Sequence, residues 1–289
     1  MKILHYLTIL RPVNGIMAAG AVWLGAWISS ARLTALSVSI LSAAAFLSTG
    51  FGNVINDIID WKTDQISHAD RPIPSGIISV RAAVFYSVLL GGYAPLLAFM
   101  VAPLYGFATL VPVFTLILYA TFLKGTPLVG NLLVALLVAY ALLFGSLEAP
   151  DFNHLLLPAL LAMLLNLSRE IIKDIQDIAG DTAAGIRTTA ALAPATLRTI
   201  LFLISIAYLL LVFLPFCLGH FGIPYLIVVA AGSLPLHGMR LRYMFRKRWG
   251  DYCQKMSLFL KLEMLLGLAA LGVDRLCDII ATTRLTVLP

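Results

Sequence analysis

Charge is scarce in this chain. Of its 289 residues only 12% are Asp, Glu, Lys or Arg, against 61% hydrophobic, where a soluble domain carries about 25% charged residues. That shortage, with a mean hydropathy of +0.96, excludes a water-soluble fold. Cysteine is scarce as well. Cys217, Cys253 and Cys277 stand apart with no CxxC pair, so neither a zinc site nor a disulfide framework is indicated. The polar and apolar alternation of a lipid-facing barrel strand is also missing, which leaves the α-helix as the spanning element.

Long apolar runs are abundant. Roughly nine have helical spanning length, at approximately 13–30, 37–55, 82–101, 104–122, 127–147, 153–172, 196–217, 222–239 and 258–280, set against the ~20 residues that cross a bilayer core. The expected fold is therefore all-α, a polytopic membrane protein in one domain, 1–289. The first run follows a charged stretch, Met1–Arg11, as a cleaved leader would. Its roughly 18 apolar residues exceed a leader's usual apolar length, so a retained span is expected.

The net charge of +6 does not indicate a nucleic-acid partner, because the basic residues sit in short loops between the runs. With the N-terminus in the cytoplasm, only Arg32, Arg275 and Arg284 of the 20 Lys and Arg residues fall on the far side. That asymmetry predicts the orientation.

Acidic residues number only 14, yet eight lie in two short stretches: Asp57, Asp60, Asp64 and Asp70, then Glu170, Asp174, Asp177 and Asp181. Both stretches follow the cytoplasmic ends of spans, the second and the sixth. Asp57, Asp60 and Asp64 repeat at i, i+3, i+7, as do Asp174, Asp177 and Asp181. At 100° per residue this gathers three carboxylates into about a 60° arc. Glu170 extends the second arc at i−4, and Asn53 the first. Like charges so placed repel and need a cation. The donors are hard oxygens with no Cys and only His68 nearby, which selects Mg²⁺ over zinc or copper. Mg²⁺ keeps waters and substrate phosphate oxygens in its shell, so two facing Asp clusters make a diphosphate clamp. Arg169 and Lys173 flank the second arc, Arg71 follows the first ahead of Pro72, and Lys124 follows the fourth span. All four are candidate phosphate ligands.

Asn56-Asp57-Ile58-Ile59-Asp60-Trp61-Lys62-Thr63-Asp64, followed by Asp70-Arg71-Pro72-Ile73-Pro74-Ser75-Gly76, resembles the first signature of the UbiA-type membrane prenyltransferases. Asp174-Ile175-Gln176-Asp177-Ile178-Ala179-Gly180-Asp181 resembles the second. The resemblance implies helices around a central cavity, with Mg²⁺ between the two motifs, Asn56 among its ligands, and a prenyl tail in an apolar tunnel. The family also places a Tyr and a Lys four apart after the fourth span. Tyr119 and Lys124, the corresponding pair, are five apart here. Within the superfamily, Leu10-Arg11-Pro12-Val13-Asn14 and Arg169-Glu170-Ile171-Ile172-Lys173-Asp174 are most similar to digeranylgeranylglyceryl phosphate synthases, and chlorophyll synthases share part of the pattern.

The expected chemistry is transfer of a prenyl group from a polyprenyl diphosphate, geranylgeranyl diphosphate by the resemblance, to a lipid-soluble acceptor. A glyceryl phosphate acceptor brings a second phosphate and needs further cations, for which Arg11, Arg169 and Arg187 are the candidates, with Asn14 beside them. A cation-coupled transporter would instead set its acidic residues near the bilayer midplane on broken helices.

Overall fold

The computed structural model describes residues 2–287, with side chains described from 4 to 283. The side chains of Lys2 and Arg284, counted above for sidedness, lie outside the described residues, as do Met1, Leu288 and Pro289. The described residues form helices and connecting turns without strands. In chain order the α-helices are α1 (Lys2–Ile9), α2 (Pro12–Ile28), α3 (Ala35–Ile59), α4 (Trp61–Ser67), α5 (Val80–Phe99), α6 (Pro103–Leu118) and α7 (Val129–Phe144). They continue with α8 (Asn153–Ala183), α9 (Pro194–Leu211), α10 (Leu214–Cys217), α11 (Ile223–Val228), α12 (Leu234–Met244) and α13 (Cys253–Val287).

Six described helical stretches are long and apolar enough to cross a membrane, and α2 and α7 are apolar but shorter, at 17 and 16 residues. The span expected at 222–239 is composite: α11 and α12 are joined by a π-helical turn, Val229–Ser233. The all-helical membrane fold thus stands, while the count of nine rests on the sequence.

Lipid supplies no hydrophobic drive for helices to associate, so close packing at small residues holds such bundles together. Helices α2 and α7 illustrate this. A Cβ on Gly25 would sit 2.0 Å from the Leu142 carbonyl oxygen, and one on Gly145 would sit 2.1 Å from that of Val22. The carboxyl-terminal half uses polar groups instead. Glu263 of α13, fully buried, accepts from Arg240 Nε at 3.1 Å and meets His237 Nδ1 at 3.0 Å, both on α12. Arg240 also donates to Ser205 Oγ of α9 at 3.0 Å. Removing one partner of such a buried pair typically costs about 3–5 kcal/mol, so the network fixes the rotation of α13 against α9 and α12. At the other end of α13, Asp274 Oδ1 accepts from the backbone N–H groups of Gly222 and Tyr225, satisfying the start of α11.

Candidate active site

Both acidic motifs arrive at the same end of the bundle. Helix α3 delivers Asn53, Asn56 and Asp57, the chain turns at Asp60, and α4 carries Asp64. Helix α8 delivers Arg169 through Asp181. Gly180 lets α4 and α8 dock: a Cβ there would lie 2.3 Å from Ser67 Oγ and 3.0 Å from the Thr63 carbonyl oxygen. His68 then bridges the motifs, its Nε2 lying 2.8 Å from Asp177 Oδ1. The two carboxylate arcs thus come within electrostatic range of one another, with Asp60 acting on Asp181 and both reaching Tyr119.

Cations meet these carboxylates. Arg11 donates to Asp57 Oδ1 at 2.5 Å. Arg71 donates to Asp64 Oδ2 at 2.6 Å and lies 3.7 Å from Asp57. Lys124 is ion-paired with Asp60 and lies within electrostatic range of Asp57 and Asp181, so it stands between the motifs. Arg11 holds its place in a left-handed backbone conformation, φ 50°. This costs a non-glycine residue about 1–2 kcal/mol, and such strain clusters at functional sites. Arg71 sits in a turn pinned by the bonds from Ser75 N to the Arg71 carbonyl (3.0 Å) and from Ile78 N to that of Pro72 (2.9 Å).

The five-residue spacing of Tyr119 and Lys124 has a structural explanation. Residues Tyr119–Leu123 form a π-helical turn, closed by a bond from Lys124 N to the Tyr119 carbonyl at 2.8 Å. A π-turn absorbs one extra residue per turn, so the two side chains share a face as they would four apart in an α-helix. Tyr119 is buried within electrostatic range of Glu170, Asp174, Asp60 and Asp181.

The donor set fits a divalent cation. Asn56 Oδ1 and Asp60 Oδ1 are buried with no hydrogen-bond partner, a condition that costs about 1–3 kcal/mol per group and that a bound cation would relieve. Burial also pushes the Asp64 carboxyl above the usual carboxylate range, against the lowering effect of Arg71. Among the described residues no three acidic, His or Cys side chains converge tightly enough to hold an ion alone.

Behind the motifs lies a cavity of about 270 Å³. Arg11, Asn14, Asn53, Asn56, Arg169 and Lys173 line its polar mouth, and its deep walls are apolar. Asn53 donates to the Leu10 carbonyl at 2.9 Å and so anchors the chain just before Arg11. Glu170 accepts from Arg169 (3.1 Å) and Lys173 (2.8 Å). The expectations do not all gather here: Arg187 is exposed, away from the cavity lining, and forms no ion pair among the described residues.

A match to the UbiA prenyltransferase family runs from residue 17 to residue 262. The chain belongs to that family. This family member is 35% identical over 271 residues to the digeranylgeranylglyceryl phosphate synthase of Methanopyrus kandleri, covering 92% of this chain and 97% of that one. Its fold is similar to a solved structure of digeranylgeranylglyceryl phosphate synthase in membranes (TM-score 0.73, 28% identity, 95% and 98% of the two chains covered). It is also similar in fold to a UbiA homologue from Archaeoglobus fulgidus bound to geranyl diphosphate and Mg²⁺ (TM-score 0.61, 17% identity, 93% and 100% covered). The chain is thus an integral-membrane prenyltransferase.

Three side chains of the prenyltransferase site escaped the sequence reading. Asn131 Nδ2 donates to Asp174 Oδ2 at 2.9 Å, and the Thr189 backbone N–H donates to the same oxygen at 3.2 Å. Thr189 Oγ1 is in turn bonded to Asn131 Oδ1 and accepts from Leu128 N at 2.8 Å, tying the loop after α8 to the start of α7. Lys261 of α13 lines the cavity. Polar Asn131 lies in an otherwise apolar span, and Lys261 lies near the start of another, two residues from Glu263; those placements were the available signal.

Proposed function

We propose that this prenyltransferase transfers the geranylgeranyl group of geranylgeranyl diphosphate to the free hydroxyl of geranylgeranylglyceryl phosphate, forming an ether and releasing diphosphate. The observation that carries the reading is the division of the cavity mouth. On one side, next to the lining, the carboxylates of the first Asp motif meet Arg71 and Lys124, whereas the lining itself holds Arg169 and Lys173 against the single carboxylate of Glu170. A diphosphate with its metal suits the first side, and a second phosphate suits the other. The relatives reported above point the same way.

Mg²⁺ held among Asn56, Asp57, Asp60, Asp64, Asp174, Asp177 and Asp181 would supply electrostatic stabilisation of the charge that develops on the departing diphosphate. Arg71 and Lys124 bind the diphosphate oxygens from the loop side. Asn131 and Thr189 orient Asp174. The C1–O bond breaks with its electron pair going to diphosphate, leaving an allylic cation among apolar side chains from which water is excluded. The acceptor hydroxyl oxygen then bonds to C1, and its proton leaves to water or to the released diphosphate. Residues 1–289 act as one domain, with the N-terminus and this site on the cytoplasmic face.

The test is a panel of acceptors offered to purified protein with radiolabelled geranylgeranyl diphosphate. The glyceryl phosphate acceptor is expected to outrun hydroxybenzoate, naphthoate and chlorophyllide by at least about a hundredfold, equivalent to roughly 2.7 kcal/mol. Efficient prenylation of an aromatic or tetrapyrrole acceptor instead would overturn the acceptor assignment.

A further inference from the structure

Helix α13 carries Lys261 and Glu263 two positions apart, and they face different ways. Two residues turn a helix by 200°. Glu263 is directed into the α9–α12 side, where Arg240 and His237 hold it. Lys261 therefore faces the central cavity, and it lines that cavity together with Met264 and Leu268. These positions, at i, i+3 and i+7, form one stripe with the ammonium at the polar mouth and apolar side chains leading inward.

Lys261 has no ion-pair partner among the described residues. It lies within electrostatic range of Arg169, Lys173 and Arg11, with Glu170 the carboxylate among them. Arg11 is already engaged by Asp57. Arg169, Lys173 and Lys261 against Glu170 leave an excess of two positive charges; Asp174, which Lys173 also reaches electrostatically, is engaged by Asn131 and the Thr189 backbone, and Arg71 and Lys124 pair with the other Asp motif. Arg169 Nε is moreover buried with no hydrogen-bond partner. Like charges gathered at the edge of an apolar cavity are unfavourable unless an anion joins them. A phosphate monoester dianion matches both the charge excess and the unfilled donor.

We propose that Lys261, together with Arg169 and Lys173, binds the phosphate of the acceptor, and that the acceptor's hydrocarbon chain runs along the Met264–Leu268 face of α13. The proposal rests on the glyceryl phosphate reading given above. It adds the residue that selects a phosphorylated acceptor and the wall on which that lipid lies. Phosphate at Lys261 sets the headgroup at the cavity mouth, where the acceptor hydroxyl can reach C1 of the donor.

The experiment compares the parent protein with Lys261→Met and Lys261→Arg on geranylgeranylglyceryl phosphate and on its dephosphorylated alcohol. KM and kcat are measured for donor and acceptor. A charge-assisted hydrogen bond to phosphate predicts about a thirtyfold rise in acceptor KM for Lys261→Met. The penalty should be confined to the phosphorylated acceptor, leave donor KM within about threefold, and be largely rescued by Lys261→Arg. Equal losses on both acceptors, a rise in donor KM alone, or no change would each overturn the proposal. Thermal unfolding of each variant separates these outcomes from misfolding: if Lys261→Met does not fold, the decision passes to Lys261→Gln under the same criteria, with Lys261→Arg again as the rescue. Failure of the parent protein to use the phosphorylated acceptor at all would instead sink the reading on which the proposal rests.

Discussion

Gly180→Ala tests whether docking of the two acidic motifs makes the site. The added Cβ would stand 2.3 Å from Ser67 Oγ and 3.0 Å from the Thr63 carbonyl oxygen, both well inside van der Waals contact. Relief requires α4 to move from α8 by about 1 Å, a displacement that can cost on the order of 100-fold in rate. The overpacking itself should destabilise by about 1–3 kcal/mol. The nearer clash is with a side-chain oxygen that is buried without a hydrogen-bond partner, so Ser67→Ala alone should be nearly neutral. In the double variant, removal of that oxygen leaves only the tight Thr63 contact, and about tenfold of the lost turnover should return, a coupling near 1.4 kcal/mol. Turnover at saturating donor and Mg²⁺, with unfolding followed in detergent, reads all four corners of the cycle. Gly180→Ala retaining more than half of parental turnover, or a double variant no better than Gly180→Ala, would refute the docking argument.

Asp60→Asn and Asp177→Asn should nearly abolish turnover, since each removes metal-binding charge, while the isosteric amide keeps a hydrogen-bonding oxygen for Lys124 or His68 and the protein still folds; activity above about a tenth of the parent's in either would argue against a direct metal role. Deleting Phe122, which is 75% exposed within the π-turn, should convert that turn to α-helix and keep Tyr119 and Lys124 on one face, with turnover within about tenfold, whereas an alanine inserted there should cost more than 100-fold. In a background lacking the native cysteines, His68→Cys and Thr182→Cys should label from the cytoplasm and Asp151→Cys only from the opposite side. Labelling of Asp151→Cys from inside would reverse the orientation.

The all-helical membrane fold and the acidic arcs were legible because both follow from local rules: apolar length marks a crossing, and helical period fixes a face. The spacing of Asp57, Asp60 and Asp64 against that of Asp174, Asp177 and Asp181 therefore pointed to two facing acidic arcs without knowledge of how α4 meets α8. Features set by tertiary contact or backbone irregularity stayed hidden. The Tyr119–Lys124 spacing read as a departure because a π-turn, which has no reliable sequence mark, restores the alignment. Asn131 and Thr189 act on Asp174 across separations of 43 and 15 residues, beyond any helical repeat. Lys261 lies at the start of the run 258–280, and the side it faces depends on the rotation of α13 that Glu263 and Arg240 impose. Arg187, expected near the acceptor, lies exposed, because Gly185, at φ 73°, ends the run of α8 before it.

The central claim is that the acceptor hydroxyl captures C1 of the donor at a metal-bearing site built from both Asp motifs, and an isotope label reads it directly. Acceptor carrying ¹⁸O in its free hydroxyl is turned over with unlabelled geranylgeranyl diphosphate, with and without Mg²⁺, and the oxygen is traced by mass spectrometry. Full retention of ¹⁸O in the ether product, none in the released diphosphate, and no product without Mg²⁺ or in Asp177→Asn are the predicted results. Appearance of the label in diphosphate, or undiminished product after complete metal removal, would contradict the account.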